Sequence, residues 1–277
     1  MGVKDYYLEH FDELPLDKQK HFATRIKYWF HDARFDDFLA AHEPSHDLAA
    51  VLADNDYSGV NNFAARQPYF EKYAELYGLE AALFRINRLL IEYDVDLREE
   101  FLRIYPREKL AQLCAELLDD TDVLVALSTY AANVICLCDN LFFNDGSSAQ
   151  LAKKMLAQTM QSVDFIYLYT HIILCMSHFY VRELTGENLE LSRQMIAKCA
   201  EIIEREYDDI SLDMKLEFLV CCRMAKYQAT VETKIRNECD AVLADSPFVT
   251  DARKSEKYNT LAGAEHRNVL YIMAFES

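Results

Sequence analysis

The sequence predicts an all-α protein: an irregular multi-helix bundle, or stacked helical hairpins in a solenoid-like array, of about ten helices with no significant β-sheet. Three observations carry this. Only 6 Gly and 5 Pro occur in 277 residues, and β-sandwiches and barrels consume both in their tight turns. Apolar residues recur at i, i+3, i+4 and i+7 over long stretches, the spacing of a helix face. No stretch longer than four residues alternates apolar and polar between turn signals. The 51% apolar and 12% aromatic fractions supply a substantial core, which a disordered chain lacks.

Element by element, Tyr6–Leu14 reads as a short helix stopped by Pro15, and Asp17 as the cap of the next, which carries Phe22, Ile26, Trp29 and Phe30. Pro44 fits the first turn of a short helix ending near Asp54. Asn55–Pro68, rich in Asn with Ser58 and Gly59, reads as a loop. From Leu79 to Tyr93 the helical spacing is clean, with Gly78 as the end of the preceding helix. Pro106 opens the helix of Leu110, Leu113, Cys114 and Leu117, and Asp119–Asp122 marks a turn and a capped restart. Val123–Phe143 is apolar nearly all round, as a helix with neighbours on several sides should be. Ser147 or Ser148 caps a region reaching Thr185, either two helices or one kinked near Gln161, closed by Gly186. Leu189–Tyr207, Ser211–Leu243 and Val269–Phe275 complete the set. Breaks near 106, 146, 186 and 209 give two intervals close to 40 residues, a length typical of helical hairpin repeats. The residues within them do not repeat.

One helical domain is expected over 1–277, with 1–67 as an N-terminal helical cap and 68–277 as the main body. Its core centres on Val123–Phe143 and Phe165–Val181. Both stretches also qualify for testing as membrane spans. Asn133, Asp139 and Asn140 interrupt the first, and His171 and His178 the second, which is short for spanning. Polar groups are expensive in hydrocarbon, so both are expected to be buried core helices. Met1–His10 carries charge throughout and has no signal-type apolar run. A cytoplasmic location is expected.

The formal charge is −17. A phosphate backbone needs concentrated positive charge, and Arg25–Lys27 and Lys153–Lys154 are isolated, so no nucleic-acid partner is expected. The eight cysteines are Cys114, Cys136, Cys138, Cys175, Cys199, Cys221, Cys222 and Cys239. None has C-x-x-C spacing, and most sit in apolar helical pattern. They are expected to be reduced and structural. Cys136 and Cys138, two apart, should point to different faces.

No motif names an activity. Asn144, Asp145 and Ser148 match the first three ligands of the Asn-Asp-x-x-Ser-x-x-x-Glu magnesium motif that class I terpene cyclases carry. The fourth position is Ala152, and the partner Asp-Asp-x-x-Asp motif is absent. Magnesium bridging a diphosphate needs oxygen ligands from both sides. Glu43-Pro44-Ser45-His46 has the Glu-x-x-His spacing of a di-iron bundle, in one copy where two are required. No phosphate-binding Gly-rich loop and no G-x-S-x-G occur. Neither a metal nor a cofactor is expected, and no catalytic residue can be assigned.

Polar side chains on an apolar helix must find partners or line a cavity, which singles out Tyr167, His171 and His178 as candidate pocket residues. On one continuous helix the two histidines would share a face about two turns apart. The function expected is a protein-interaction or scaffold module of helical-repeat-like type, taking a protein or peptide partner in a groove. The alternative is an all-α enzyme or small-molecule binder with a pocket beside His171 and His178. The residues lean against an enzyme.

Overall fold

The structure, a computed structural model, describes residues 2–53, 67–159 and 162–276. Of these, 74% are helical, and no strand occurs among them. In chain order the α-helices are α1 (Val3–Glu9), α2 (Leu16–Phe30), α3 (Asp36–Ala41), α4 (Leu48–Ala53), α5 (Gln67–Lys72), α6 (Leu76–Tyr93), α7 (Arg98–Ile104), α8 (Arg107–Asp119), α9 (Thr121–Leu127), α10 (Thr129–Cys138), α11 (Ser147–Leu156), α12 (Asp164–Met176), α13 (Gly186–Arg205), α14 (Leu212–Met224), α15 (Glu232–Leu243) and α16 (Glu265–Phe275). They outnumber the ten or so expected, because several long apolar stretches break without Gly or Pro.

The clearest break is at Ser128. Val123–Phe143 is two helices, α9 and α10, bent by 107°. Ser128 adopts φ 44° and ψ −110°, a region that costs a residue with a Cβ about 1–3 kcal/mol. The last residues, Asp139–Phe143, loosen into a π-helical turn. No single described helix is long and apolar enough to cross a membrane. Ser211–Leu243 likewise splits into α14 and α15 around Lys226, which has φ 52°. The region expected to run to Thr185 is α11 and α12, and it ends at Met176. Gly186 therefore opens α13 instead of closing a helix.

Other boundaries also moved. Asp17 lies in the first turn of α2, and Pro15 (φ −58°) precedes that helix without a side-chain cap. Pro44 lies in a non-helical segment ahead of α4. Gly78 is inside α6, because the turn at Tyr73–Glu75 already ends α5. Of the expected loop at 55–68, residues 55–66 lie outside the described set, and Gln67 and Pro68 begin α5. Pro106 stands immediately before α8, and Asp120 accepts the Val123 amide at 3.1 Å as the cap of α9, both as expected.

Two compact units emerge, one of residues 1–43 with 196–277 and one of residues 44–195. The division falls within α13. The second unit is organised by α10, whose residues Ala131–Cys138 are all buried between α6 and α12, with α8 and α11 alongside. Cys138 lies against the Cys114 thiol of α8, and Cys136 against the Cys175 thiol of α12. The two cysteines do face different neighbours. All eight cysteines are buried, and none forms a disulfide. In the first unit α16 is the central rod, packed on α14, α2 and α1. Nine of its eleven residues are buried. Glu276, just beyond it, accepts the Val3 and Lys4 amides at 2.8 Å each, satisfying the start of α1.

Candidate functional site

The sequence-selected residues lie on and just after α12. Tyr167 and His171 are one turn apart and half-buried. His171 Nδ1 is 3.1 Å from Asn133 Oδ1 on α10, and the Cys175 thiol donates to the same oxygen at 3.3 Å. Asn133 Nδ2 in turn donates to Glu80 Oε1 of α6 at 2.6 Å. Burial pushes the Glu80 carboxyl upward, and the Asn133 bond opposes it. The row Glu80–Asn133–His171 thus ties the three core helices together. A buried amide with both ends engaged is worth more than its bonds singly, because each group left unpaired would cost about 1–3 kcal/mol.

His178 is not on the same helical face. α12 ends at Met176, and His178, Phe179 and Tyr180 follow with φ of 50°, 53° and 79°. Three consecutive left-handed non-glycine residues are costly. Here the surroundings hold them: Phe179 N donates to Leu174 O at 2.7 Å, Tyr180 N to Ser177 Oγ at 3.1 Å, and the Phe179 ring packs edge-on to Phe84 at 4.7 Å. The buried imidazole stands between Asn87 Oδ1 and Arg182 Nη1, each at 3.2 Å. Nδ1–H donates to Asn87 Oδ1, and Nε2 accepts from the guanidinium. Burial and then the Arg182 charge lower its pKa to about 4. His178 is therefore a neutral link in which both ring nitrogens are engaged, a poor proton donor at neutral pH.

The Asn144–Ser148 stretch also has a local explanation. Asp139 Oδ1 accepts the Asp145 and Gly146 amides at 3.0 and 3.1 Å, and Oδ2 accepts the Ser148 amide at 3.0 Å. Asp145 accepts from the Ser147 amide and hydroxyl at 3.0 and 2.6 Å, which lowers its carboxyl pKa. The carboxylates hold the start of α11, where neither Ser147 nor Ser148 acts as a side-chain cap. Glu43–His46 is not helical, so its spacing does not place two ligands on one helix face. Among the described residues, no three His, Cys, Asp or Glu are grouped to hold a metal ion.

Sequence reasoning missed an open cleft in the same unit. One lobe, about 630 Å³, is lined by Lys72, Tyr73, Glu116, Asp119, Asp120, Thr121 and Asp122. The adjoining lobe, about 450 Å³, shares Lys72, Tyr73 and Glu116; beneath it lie Leu76, Leu79 and Leu110, already buried in the core, and Leu113, half-buried. The walls are the end of α5, the start of α6, and α8 with the start of α9. Lys72, exposed on the rim, is held upward in pKa by the Tyr73 hydroxyl and then by Asp120 and Glu116. The signal was present in the sequence. Leu110 and Leu113 belong to the apolar stripe of α8, and Glu116 and Asp119 stand one and two turns further along.

The other unit carries two polar centres that no motif announced. Glu265 is fully buried at the start of α16. Its Oε1 is 2.8 Å from His21 Nδ1, while Oε2 is 3.9 Å from Lys18 Nζ and has no hydrogen-bond partner. Burial raises its pKa to about 7 against the pull of Lys18, His266 and Arg25. Lys215, also fully buried, pairs with Glu238 at 2.9 Å and sits 3.6 Å over the Tyr207 ring. Burial pushes its pKa down, and Glu238 opposes that. Searches against protein-family models, curated proteins and solved structures find no match to this chain.

Proposed function

We propose that this chain is a protein-interaction module of helical-repeat-like type, and that it takes a protein or peptide partner in the cleft formed by α5, α6, α8 and α9. The observation that carries this reading is the cleft itself: an open trough with a carboxylate-rich rim and the half-buried Leu113 at its base. Partner grooves combine an apolar centre with a polar edge in this way. The alternative, a small-molecule or catalytic pocket beside His171 and His178, is disfavoured by their bonding. His178 has both ring nitrogens engaged, and His171 is drawn into the Asn133–Glu80 row.

The test is site-specific photocrosslinking of the full chain. Leu113, half-buried on the cleft floor, is replaced by a benzophenone amino acid, and Tyr258, exposed in the other unit, serves as the control position. The expected result is a discrete protein adduct in source lysate from position 113 and none from 258. No adduct, or equal adducts from both positions, would sink the reading.

A further inference from the structure

The turn that follows α12, Ser177–Arg182, is built against the preference of its residues. His178, Phe179 and Tyr180 are all left-handed, a conformation that L side chains disfavour. Backbone bonds close the turn: Phe179 N donates to Leu174 O at 2.7 Å, Tyr180 N to Ser177 Oγ at 3.1 Å, and Arg182 N to Ser177 O at 2.8 Å. Side chains fasten it to α6, the Phe179 ring against Phe84 and the buried His178 imidazole against Asn87.

The contact between His178 and Arg182 allows one protonation state. A guanidinium only donates, so the 3.2 Å contact from Arg182 Nη1 needs the lone pair of Nε2. A proton on Nε2 sets two donors face to face and puts a second positive charge beside the first in a desolvated place. The bond from Nδ1 to Asn87 survives in either state, because that nitrogen donates in both. The charged residues of α6 are engaged elsewhere: Glu80 with Asn133, Arg85 with the Val51 carbonyl and Arg88 with Glu92. Glu183, next along the chain from Arg182, is exposed.

We propose that Ser177–Arg182 is an acid-released latch: proton uptake at His178 Nε2 breaks the Arg182 bond, and the strained turn lifts from α6, uncovering Asn87 and Phe84. The folded pKa lies below the ordinary 6.5, at about 4, so the latch is held closed above 6.5 and loses that hold as pH falls through about 4. Over that range the open form gains at most about 300-fold. Relaxation of the left-handed residues acts in the same direction.

Hydrogen exchange of the full chain at about pH 6.5 and about pH 3.5, corrected for intrinsic rates, reads the latch separately from the core. The Phe179, Tyr180 and Arg182 amides are expected to lose protection about tenfold or more in acid, while Val134–Cys138 of α10 keeps its own. Arg182→Gln, at an exposed site, supplies an amide that donates to the neutral ring or accepts from the charged one, and should lose most of the acid response. His178→Gln, with nothing to titrate at that position, should show none. Unchanged protection of the latch amides, a loss shared equally by α10, or a full acid response in either variant overturns the proposal.

Discussion

Gly263 shows how a single atom decides tolerance. A Cβ built there would lie 2.0 Å from the Lys257 carbonyl oxygen and 3.0 Å from its carbon. That contact is backbone, so no side-chain rotation relieves it. Gly263→Ala should cost about 3 kcal/mol or more, read as a lowered urea midpoint at unchanged slope. At the same scale, the demand that His171 and His178 find polar partners was legible in the sequence. The partners were not: Asn133 and Asn87 stand 38 and 91 residues away, a separation no local pattern spans. Glu265 left still less trace. A carboxylate beside an apolar run normally faces water, and only the packing of α2 on α16 buries this one.

At the level of elements, helices are written into the spacing of Leu and Ile, but their breaks are not. Gly and Pro are the readable punctuation, and Ser128 and Lys226 break helices without either. Neither turn carries a residue type that marks it, so single-chain periodicity runs straight through both. The converse holds at Gly78, where a nominal stop is absorbed into α6. The join between α10 and α11 depends on one side chain. Asp139 satisfies three amides ahead of and within the start of α11, donors a helix cannot satisfy from within. Asp139→Ala should destabilise by about 2–3 kcal/mol. Asp139→Asn, which retains the Oδ1 acceptor, should lose about 1 kcal/mol. Denaturant titrations of both variants check the order; equal losses would show that the carboxylate is not the clasp.

For the whole molecule, two buried groups, one in each unit, respond to acid in opposite senses. Glu265 has its pKa raised from 4.5 to about 7 in the folded state. The folded chain therefore binds more protons, and the stability from this group is full below 4.5 and lost as pH rises through about 7. His178 is lowered from 6.5 to about 4. Its contribution is full above 6.5 and lost as pH falls through about 4. Each effect is bounded at about 3 kcal/mol. His266, lowered to about 4 by desolvation, opposes Glu265 within its unit, and Glu80, raised by burial, opposes His178 within the other, so hydrogen exchange at about pH 7.5 and about pH 5, corrected for intrinsic rates, is compared between each variant and the parent. Relative to the parent, Glu265→Gln should lose acid protection in α16 and α2, and His178→Gln should gain it in α12 and α6; shifts of the same sign in both variants would refute the assignment. The division into units also orders events on the ribosome. Residues 44–195 are contiguous and can condense as soon as they emerge. The first 43 residues, with Tyr7, Phe22 and Ile26 awaiting burial, complete their unit only when α16 is made. At about 5–20 residues per second, they wait roughly 10–45 s. Throughout that interval the nascent N-terminal helices present an apolar face to solvent, which makes them the natural client segment for a chaperone.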